Sequence, residues 1–90
     1  GIFNCSSNKL TSLEGCPSEV GGDFLCYDNL FKNLEGCPNE VGGYFDCSSN
    51  NLTSLEGCPS VVGGYFLCYG NLFKNKPDFS HIRVGGDFGW

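Results

Sequence analysis

The order of hydrophobic and polar residues along the chain repeats every 21 residues. Repeats of this length form solenoids in which each unit contacts only its neighbours. The sequence therefore predicts one repeat domain that spans residues 1–90. Numbered from the first glycine of each Gly-Gly pair, the units are unit one at 1–20 (which lacks position 1), unit two at 21–41, unit three at 42–62, unit four at 63–84, and the start of a fifth at 85–90.

Each unit opens with a short stretch in which apolar residues alternate with variable ones. In Phe24-Leu25-Cys26, positions 4 and 6 are apolar and position 5 varies, which is the period-2 pattern of a strand with one buried face. Parallel strands from successive units stack about 4.8 Å apart, so equivalent side chains form ladders. The predicted ladders are Phe3, Phe24, Phe45, Phe66 and Phe88 at position 4, and Cys5, Cys26, Cys47 and Cys68 at position 6.

Asparagine follows each strand at position 9, where the chain has to turn. An Asn side chain bonds backbone N–H and C=O groups that a turn leaves without partners. Loss of such a residue should cost roughly 1–3 kcal/mol, because buried polar groups lose their partners. The predicted buried ladder consists of Asn8, Asn29, Asn50 and Asn71.

The second half of each unit reads Leu-Glu-Gly-Cys-Pro-x-x-Val and is called the return segment below. Its Leu, Cys and Val supply further apolar side chains, and it leaves no room for a helix. The paired glycines that follow permit positive φ or a close backbone approach. Unit four replaces this segment with residues 76–84, adds one residue and places Phe79 at the Cys position. A changed last unit is typical of a capping turn.

The unit Gly-Gly-x-Phe-x-Cys-x-x-Asn-x-(Leu/Phe)-x-x-Leu overlays the leucine-rich-repeat signature, with Gly, Phe and Cys in three Leu positions. The chain resembles leucine-rich-repeat proteins over nearly its whole length. Its Leu-Glu-Gly-Cys-Pro and Val-Gly-Gly-x-Phe-x-Cys elements are similar to the short repeats of bacterial effectors and of bacteriophage-encoded leucine-rich proteins. The resemblance implies a curved solenoid with short parallel β-strands, turns and little or no helix, and it implies no reaction.

The seven cysteines fit the repeat better than they fit a disulfide framework or a redox site. They occur at alternating intervals of eleven and ten residues, and no Cys-x-x-Cys pair is present. Free cysteine behaves as a small buried hydrophobe, so zinc and a catalytic thiol are disfavoured, while a sparse cross-link stays open. The predicted core cysteines are Cys5, Cys16, Cys26, Cys37, Cys47, Cys58 and Cys68.

Charge and motif content argue against other functional classes. A formal net charge of -5 with five basic residues disfavours nucleic acid, and no apolar stretch is long enough to predict a membrane span. His81 has no nucleophile motif beside it, so we predict no enzyme, catalytic residue, metal site or cofactor. The column of Glu14, Glu35 and Glu56 is interpreted as a solvated acidic edge in preference to a calcium site.

Positions 3, 5, 7 and 10 are expected to point outward. Units two and four are apolar at positions 5, 7 and 10, whereas units one and three carry Asn, Ser, Lys and Asp there, so the surface period is 42 residues. Exposed Leu and Tyr in register form patches of the kind that mark protein contacts. The candidate contact face comprises Leu25, Tyr27, Leu30, Tyr44, Tyr65, Leu67, Tyr69 and Leu72.

Two non-enzymatic functions compete. Unit one opens directly on its strand and residues 85–90 begin a fresh strand, and open edge strands invite pairing with another chain. Joining unlike ends produces open filaments. We therefore expect a structural protein that binds copies of itself head to tail, and the alternative is a monomeric module that recognises another protein through the Leu/Tyr face. The compartment is left open, with an extracellular fibre favoured. The residues predicted to lie at the self-association ends are Ile2, Phe3, Phe88 and Trp90.

Overall fold

Two-residue strands alternate between two parallel sheets along the chain. The computed structural model describes all residues from 1 to 90 and forms a β-solenoid of about four turns without any helix. This confirms the predicted repeat solenoid of short parallel strands. One sheet contains β1 (Phe3–Asn4), β3 (Phe24–Leu25), β5 (Phe45–Asp46), β7 (Phe66–Leu67) and β9 (Phe88–Gly89), and the other contains β2 (Glu19–Val20), β4 (Glu40–Val41), β6 (Val61–Val62) and β8 (Arg83–Val84).

The register advances by one unit at each step of the stack. Phe3 pairs with Phe24, and Phe24 pairs with Phe45. Across unit four the partner of Phe66 is Phe88, because the extra residue of that unit is absorbed between the two strands. Of 37 backbone hydrogen bonds, 30 have at least one partner outside the strands. The units are therefore joined by hydrogen bonds through their turns as well as through their strands.

The phenylalanine ladder forms the centre of the core. Phe24, Phe45 and Phe66 are fully buried. Phe3 stacks on Phe24 with ring centroids 5.0 Å apart, and Phe24 stacks on Phe45 at 5.7 Å. The half-buried Phe88 is the last member. One side chain at one position of a 21-residue unit thus becomes a continuous column when the units stack.

The paired glycines serve close approach of successive units. A Cβ atom on Gly42 would collide with the carbonyl oxygen of Gly21, and one on Gly63 would collide with that of Gly42. Positive φ is found elsewhere, at Gly15, Gly36 and Gly57 of the return segments, where it lies between 86° and 90°. Of the two reasons considered for the pair, the close approach is the one that the geometry supports.

The second sheet was not predicted from the sequence. Val20, Val41 and Val62 are buried as expected, but they also lie in paired strands in which Glu19 and Glu40 point outward. The Val directly before each Gly-Gly pair is the only recurrent apolar residue of these strands, so no alternating pattern is visible in the sequence. No helix that is long and apolar enough to cross a membrane is present.

The stack continues past the irregular segment of unit four. After the irregular segment, β8 pairs with β6, and β9 pairs with β7. The chain re-enters the core at the buried Ile82, and Phe79 lies against Phe88 with ring centroids 3.8 Å apart. The irregularity is therefore a local excursion of the return segment, and both sheets continue past it.

Candidate interaction surfaces

Exposed tyrosines flank the strands of the five-stranded sheet. The rings of Tyr44 and Tyr65, at position 3 of units three and four, stack with centroids 5.0 Å apart and an interplanar angle of 6°. They are 46% and 42% exposed. Tyr69 is also exposed, and Leu67 beside it is half-buried. We call Tyr44, Tyr65, Leu67 and Tyr69 the tyrosine patch.

Glycines of the following unit make room for these rings. A Cβ atom on Gly64 would lie 2.5 Å from the ring of Tyr44, and one on Gly86 would collide with the ring of Tyr65. A Cβ atom on Gly89 would likewise collide with the side chain of Tyr69. Each tyrosine therefore lies flat over the next unit, and this holds the ring on the sheet with its edge toward solvent.

The other members of the predicted face lie in unit two or after the Asn turn. Leu25 and Tyr27 of unit two are half-buried, and the polar unit-three pair Asp46 and Ser48 separates them from unit four along the stack. The remaining members, Leu30 and Leu72, are exposed at position 10, after the Asn turn and beyond the end of the strands.

The asparagine ladder satisfies the backbone at the turns. Asn50 is 5% exposed, and its Nδ2 donates to the carbonyl oxygens of Cys26 at 3.2 Å and of Cys47 at 3.0 Å. Its Oδ1 accepts the N–H of Phe31 at 3.1 Å. Asn29 is equally buried and bonds two units in the same way.

The ends of the asparagine ladder differ from its middle. Asn71 is half-buried, and its side chain still bonds unit three. Asn8 is exposed, and its side chain donates only within unit one. No buried side-chain nitrogen or oxygen lacks a partner. The ladder is thus a structural device that couples neighbouring units.

The cysteines are free thiols whose environment suppresses ionisation. Cys26, Cys47 and Cys68 are buried, and the other four are half-buried. Burial raises the pKa of every one of them, to about 11 for Cys58 and about 12 for Cys68. The thiolate is the reactive form of cysteine, so these side chains are poor nucleophiles at neutral pH. No three His, Cys, Asp or Glu side chains form a group that could hold a metal ion.

The two outer strands of the five-stranded sheet, β1 and β9, bring the predicted end residues to opposite ends of the stack. Ile2 is 67% exposed, whereas Phe3 is half-buried beneath Phe24. At the other end, Phe88 is half-buried and Trp90 is exposed. Trp90 occupies position 6, where the preceding strand carries Cys68.

A groove beside unit four was not anticipated. It has a volume of ≈ 850 Å³ and lies between residues 53–60 of unit three and residues 72–78 of unit four, with His81 on its rim. The changed composition of residues 76–84 was its only signal in the sequence, and that change was interpreted as a cap. A loss of repeat pattern does not reveal whether the chain covers the preceding unit or swings away from it.

Comparison with known proteins gives no match to a family model, a curated protein or a solved structure.

Proposed function

We propose that the chain is a non-enzymatic structural module, a solenoid of leucine-rich-repeat type, whose units stack between copies as they stack within one. The single observation that supports this is the sameness of the unit-to-unit interface. The N–H groups of Phe3, Phe24 and Phe45 donate to the carbonyl at position 3 of the next unit at distances between 2.7 and 2.9 Å. Phe66 does the same across the irregular unit, at 3.0 Å. The strand-bearing part of any unit can therefore form the same hydrogen bonds with that of any other.

The outer strands β1 and β9 present the two halves of that interface. In the proposed joint, the N–H of Phe88 donates to the carbonyl of Ile2 in the next copy, as Phe66 donates to Asp87 within one copy. The N–H of Trp90 donates to the carbonyl of Asn4, as Cys68 donates to Gly89 at 2.7 Å. The contact is heterologous, so repetition produces a filament.

Charge favours joining unlike ends. Residues 1–62 contain eight acidic and two basic residues, whereas residues 63–90 contain two acidic and three basic ones. A joint between the basic part of one copy and the acidic part of the next is complementary, and a joint between two acidic parts is repulsive. This asymmetry supports a polar filament over end-to-end dimers of inverted copies.

Sedimentation and electron microscopy of the 90-residue chain test the proposal. Fibres are expected with an axial repeat near 24 Å per chain, since five strands spaced about 4.8 Å apart belong to each copy. A chain that stays monomeric at high concentration and forms no fibres contradicts the proposal.

Matched variants locate the joint. Ile2→Asp and Phe88→Asp should each shorten or abolish the fibres, because both put a carboxylate into the interface. Leu30→Asp introduces the same charge at an exposed site of unit two, away from either end, and should assemble normally. Unimpaired fibres from both end variants would remove the end-stacking mechanism.

The tyrosine patch favours recognition of another protein as a second candidate function. Tyrosine is enriched at protein interfaces because it offers a large apolar ring together with a hydroxyl group. The stacked, edge-exposed rings of Tyr44 and Tyr65 are held in place before any partner binds. Capture of a partner by the native chain, and its loss in a Tyr44→Ser, Tyr65→Ser double variant that still assembles, would support recognition. A double variant that changes assembly alone would contradict it.

A further inference from the structure

The groove beside unit four lies over the return segment of unit three. Its floor is formed by residues 53–60 of unit three, and its opposite wall includes Phe73, Lys74 and Lys76 of unit four. The floor contains the same Leu-Glu-Gly-Cys-Pro sequence as units one and two. The question is what normally lies on such a surface in this fold.

In the regular part of the solenoid, a Leu-Glu-Gly turn lies directly on the preceding Leu-Glu-Gly turn. A Cβ atom on Gly36 would be 2.7 Å from the carbonyl of Leu13, and one on Gly57 would be 2.5 Å from the backbone of Leu34. The N–H of Leu34 also donates to the carbonyl of Glu56 at 2.8 Å. These contacts require glycine in the upper turn and involve a carbonyl of its Glu.

Unit four provides no such turn above unit three. Lys76 and Pro77 occupy the positions of Leu and Glu, and the chain swings outward to form the far wall of the groove. The N–H of Leu55, like that of Leu13 in unit one, donates to no backbone carbonyl of the chain. The groove therefore lies where the Leu-Glu-Gly turn of a regular fourth unit would stack on unit three.

Two lysines on the groove wall are available to pair with the glutamate of a bound segment. Lys74 and Lys76 are two of the four lysines in the chain. Asp78 is on the same wall, and hydrogen bonds from the side chain and the backbone N–H of Ser80 lower the pKa of its carboxyl group, which stays charged. Glu56 lies on the floor, but a glutamate above a glutamate is the arrangement that units one to three already have.

We propose that this groove binds an acidic Leu-Glu-Gly turn supplied by another polypeptide, in the place that the return segment of a regular fourth unit would fill. The glycine of the bound segment lies over Leu55 and Glu56, where a side chain would not fit. The carbonyl of its Glu accepts the N–H of Leu55. Its carboxylate lies at Lys74 and Lys76, which opposes the repulsion from the glutamate below.

The test is titration of the ¹⁵N-labelled chain with the peptide Ser-Leu-Glu-Gly-Cys-Pro-Ser, the sequence of residues 54–60, under reducing conditions. Saturable shifts of the Leu55 amide resonance and of its neighbours are expected. A peptide with Gly replaced by Ala should not bind, since its Cβ would meet the floor. A peptide with Glu replaced by Lys should bind more weakly. Failure of the parent peptide to give saturable shifts, or equal binding of the Ala peptide, would overturn the proposal.

A matched pair of protein variants separates the groove from general electrostatics. Lys74→Glu combined with Lys76→Glu should weaken binding of the parent peptide roughly tenfold, because two attractive contacts become repulsive. Lys32→Glu changes the residue at the equivalent position of unit two, outside the groove, and should leave the affinity unchanged. An equal loss in both variants would show that only net charge matters, and would overturn the assignment to this groove.

Discussion

We call the first half of each unit, which contains the strand and the Asn turn, the strand half, and the remainder, which contains the return segment, the return half. Units two and three have the same strand half as unit four but differ from it in the return half. All three have phenylalanine at position 4 in the buried ladder, and all three donate from that residue to the next unit. Their return segments diverge, since units two and three stack Leu-Glu-Gly turns whereas unit four swings away and opens a groove. The strand half therefore maintains the stack, and the return half is free to carry a different surface.

The extra residue of unit four shows that a change in the return half leaves the strand pairing intact. Both sheets take up the same one-residue shift, so Val61 pairs with Arg83 and Phe66 pairs with Phe88. The excursion is confined between Phe73 and Ile82, where the chain returns to the core. Insertions in return segments are thus a means of building grooves without breaking the stack.

Removing one aromatic ring from each region gives the largest expected contrast. Phe45→Ala deletes a fully buried ring of the regular ladder and should lower the free energy of unfolding by roughly 3–5 kcal/mol. Phe79→Ala deletes a half-buried ring of the irregular segment and should cost clearly less. Urea unfolding followed by circular dichroism measures both. Equal losses would mean that unit four is packed as tightly as the regular units.

Glycine substitutions test whether the irregular unit loosens the strand half. Gly42→Ala and Gly85→Ala each place a Cβ atom against the carbonyl of the preceding unit's first glycine. Both should cost about 1–3 kcal/mol, as overpacking does. Gly21→Ala is the control, because nothing lies within 4 Å of its added Cβ. A milder effect at Gly85 than at Gly42 would show that the excursion reaches the next strand.

The sequence predicted the strand half well because its signal is redundant. Phe, Cys and Asn recur at fixed positions in four successive units, and in a stack each repetition places identical side chains in contact. The buried Phe24, Phe45, Asn29 and Asn50 lie where this reasoning put them.

The return half was predicted less well for physical reasons. The strands of its second sheet carry one recurrent apolar residue, the Val before the Gly-Gly pair, so no period appears. The groove depends on where residues 74–81 go once they leave the repeat, and no pattern specifies that path. The members of the predicted contact face also differ in where they lie, since Tyr44 and Tyr65 directly precede strands β5 and β7 whereas Leu30 and Leu72 follow the Asn turn. Position in a unit predicts a ladder, but it does not predict which exposed columns meet.

Alkaline pH tests the core thiols, of which units two and three have two each. Unit four has only Cys68, because Phe79 stands at the position of the second Cys. Burial raises the pKa of Cys68 from 9.0 to about 12, so the fold prefers the neutral thiol. Between these values the unfolded chain releases a proton that the folded chain keeps, and stability must fall as pH rises. The slope is about 1.4 kcal/mol per pH unit for each such thiol.

Unfolding free energies measured from pH 8 to 11 under reducing conditions check this, with Cys68→Ala as the comparison. The variant should start less stable, because a buried side chain is truncated, but should lose stability less steeply above about pH 9. Parallel curves for the two proteins would mean that this thiol ionises equally in the folded and unfolded states.

The smallest expected effect concerns the turn before the asparagine ladder, where the two regions differ by one residue type. Ser49 of unit three has a φ of 56°, and Gly70 stands at the same position of unit four with a φ of 64°. Left-handed backbone is strained for residues with a Cβ atom, so Gly70→Ser should lower the free energy of unfolding by about 0.5–1 kcal/mol and Ser49→Gly should raise it slightly. A Cβ at Gly70 would come no closer than 3.4 Å to Ser49, so packing does not obscure the comparison. If urea midpoints show no difference between Gly70→Ser and the native chain, the turn of unit four is relaxed enough to leave the left-handed region, and the looseness of its return half extends to its strand half.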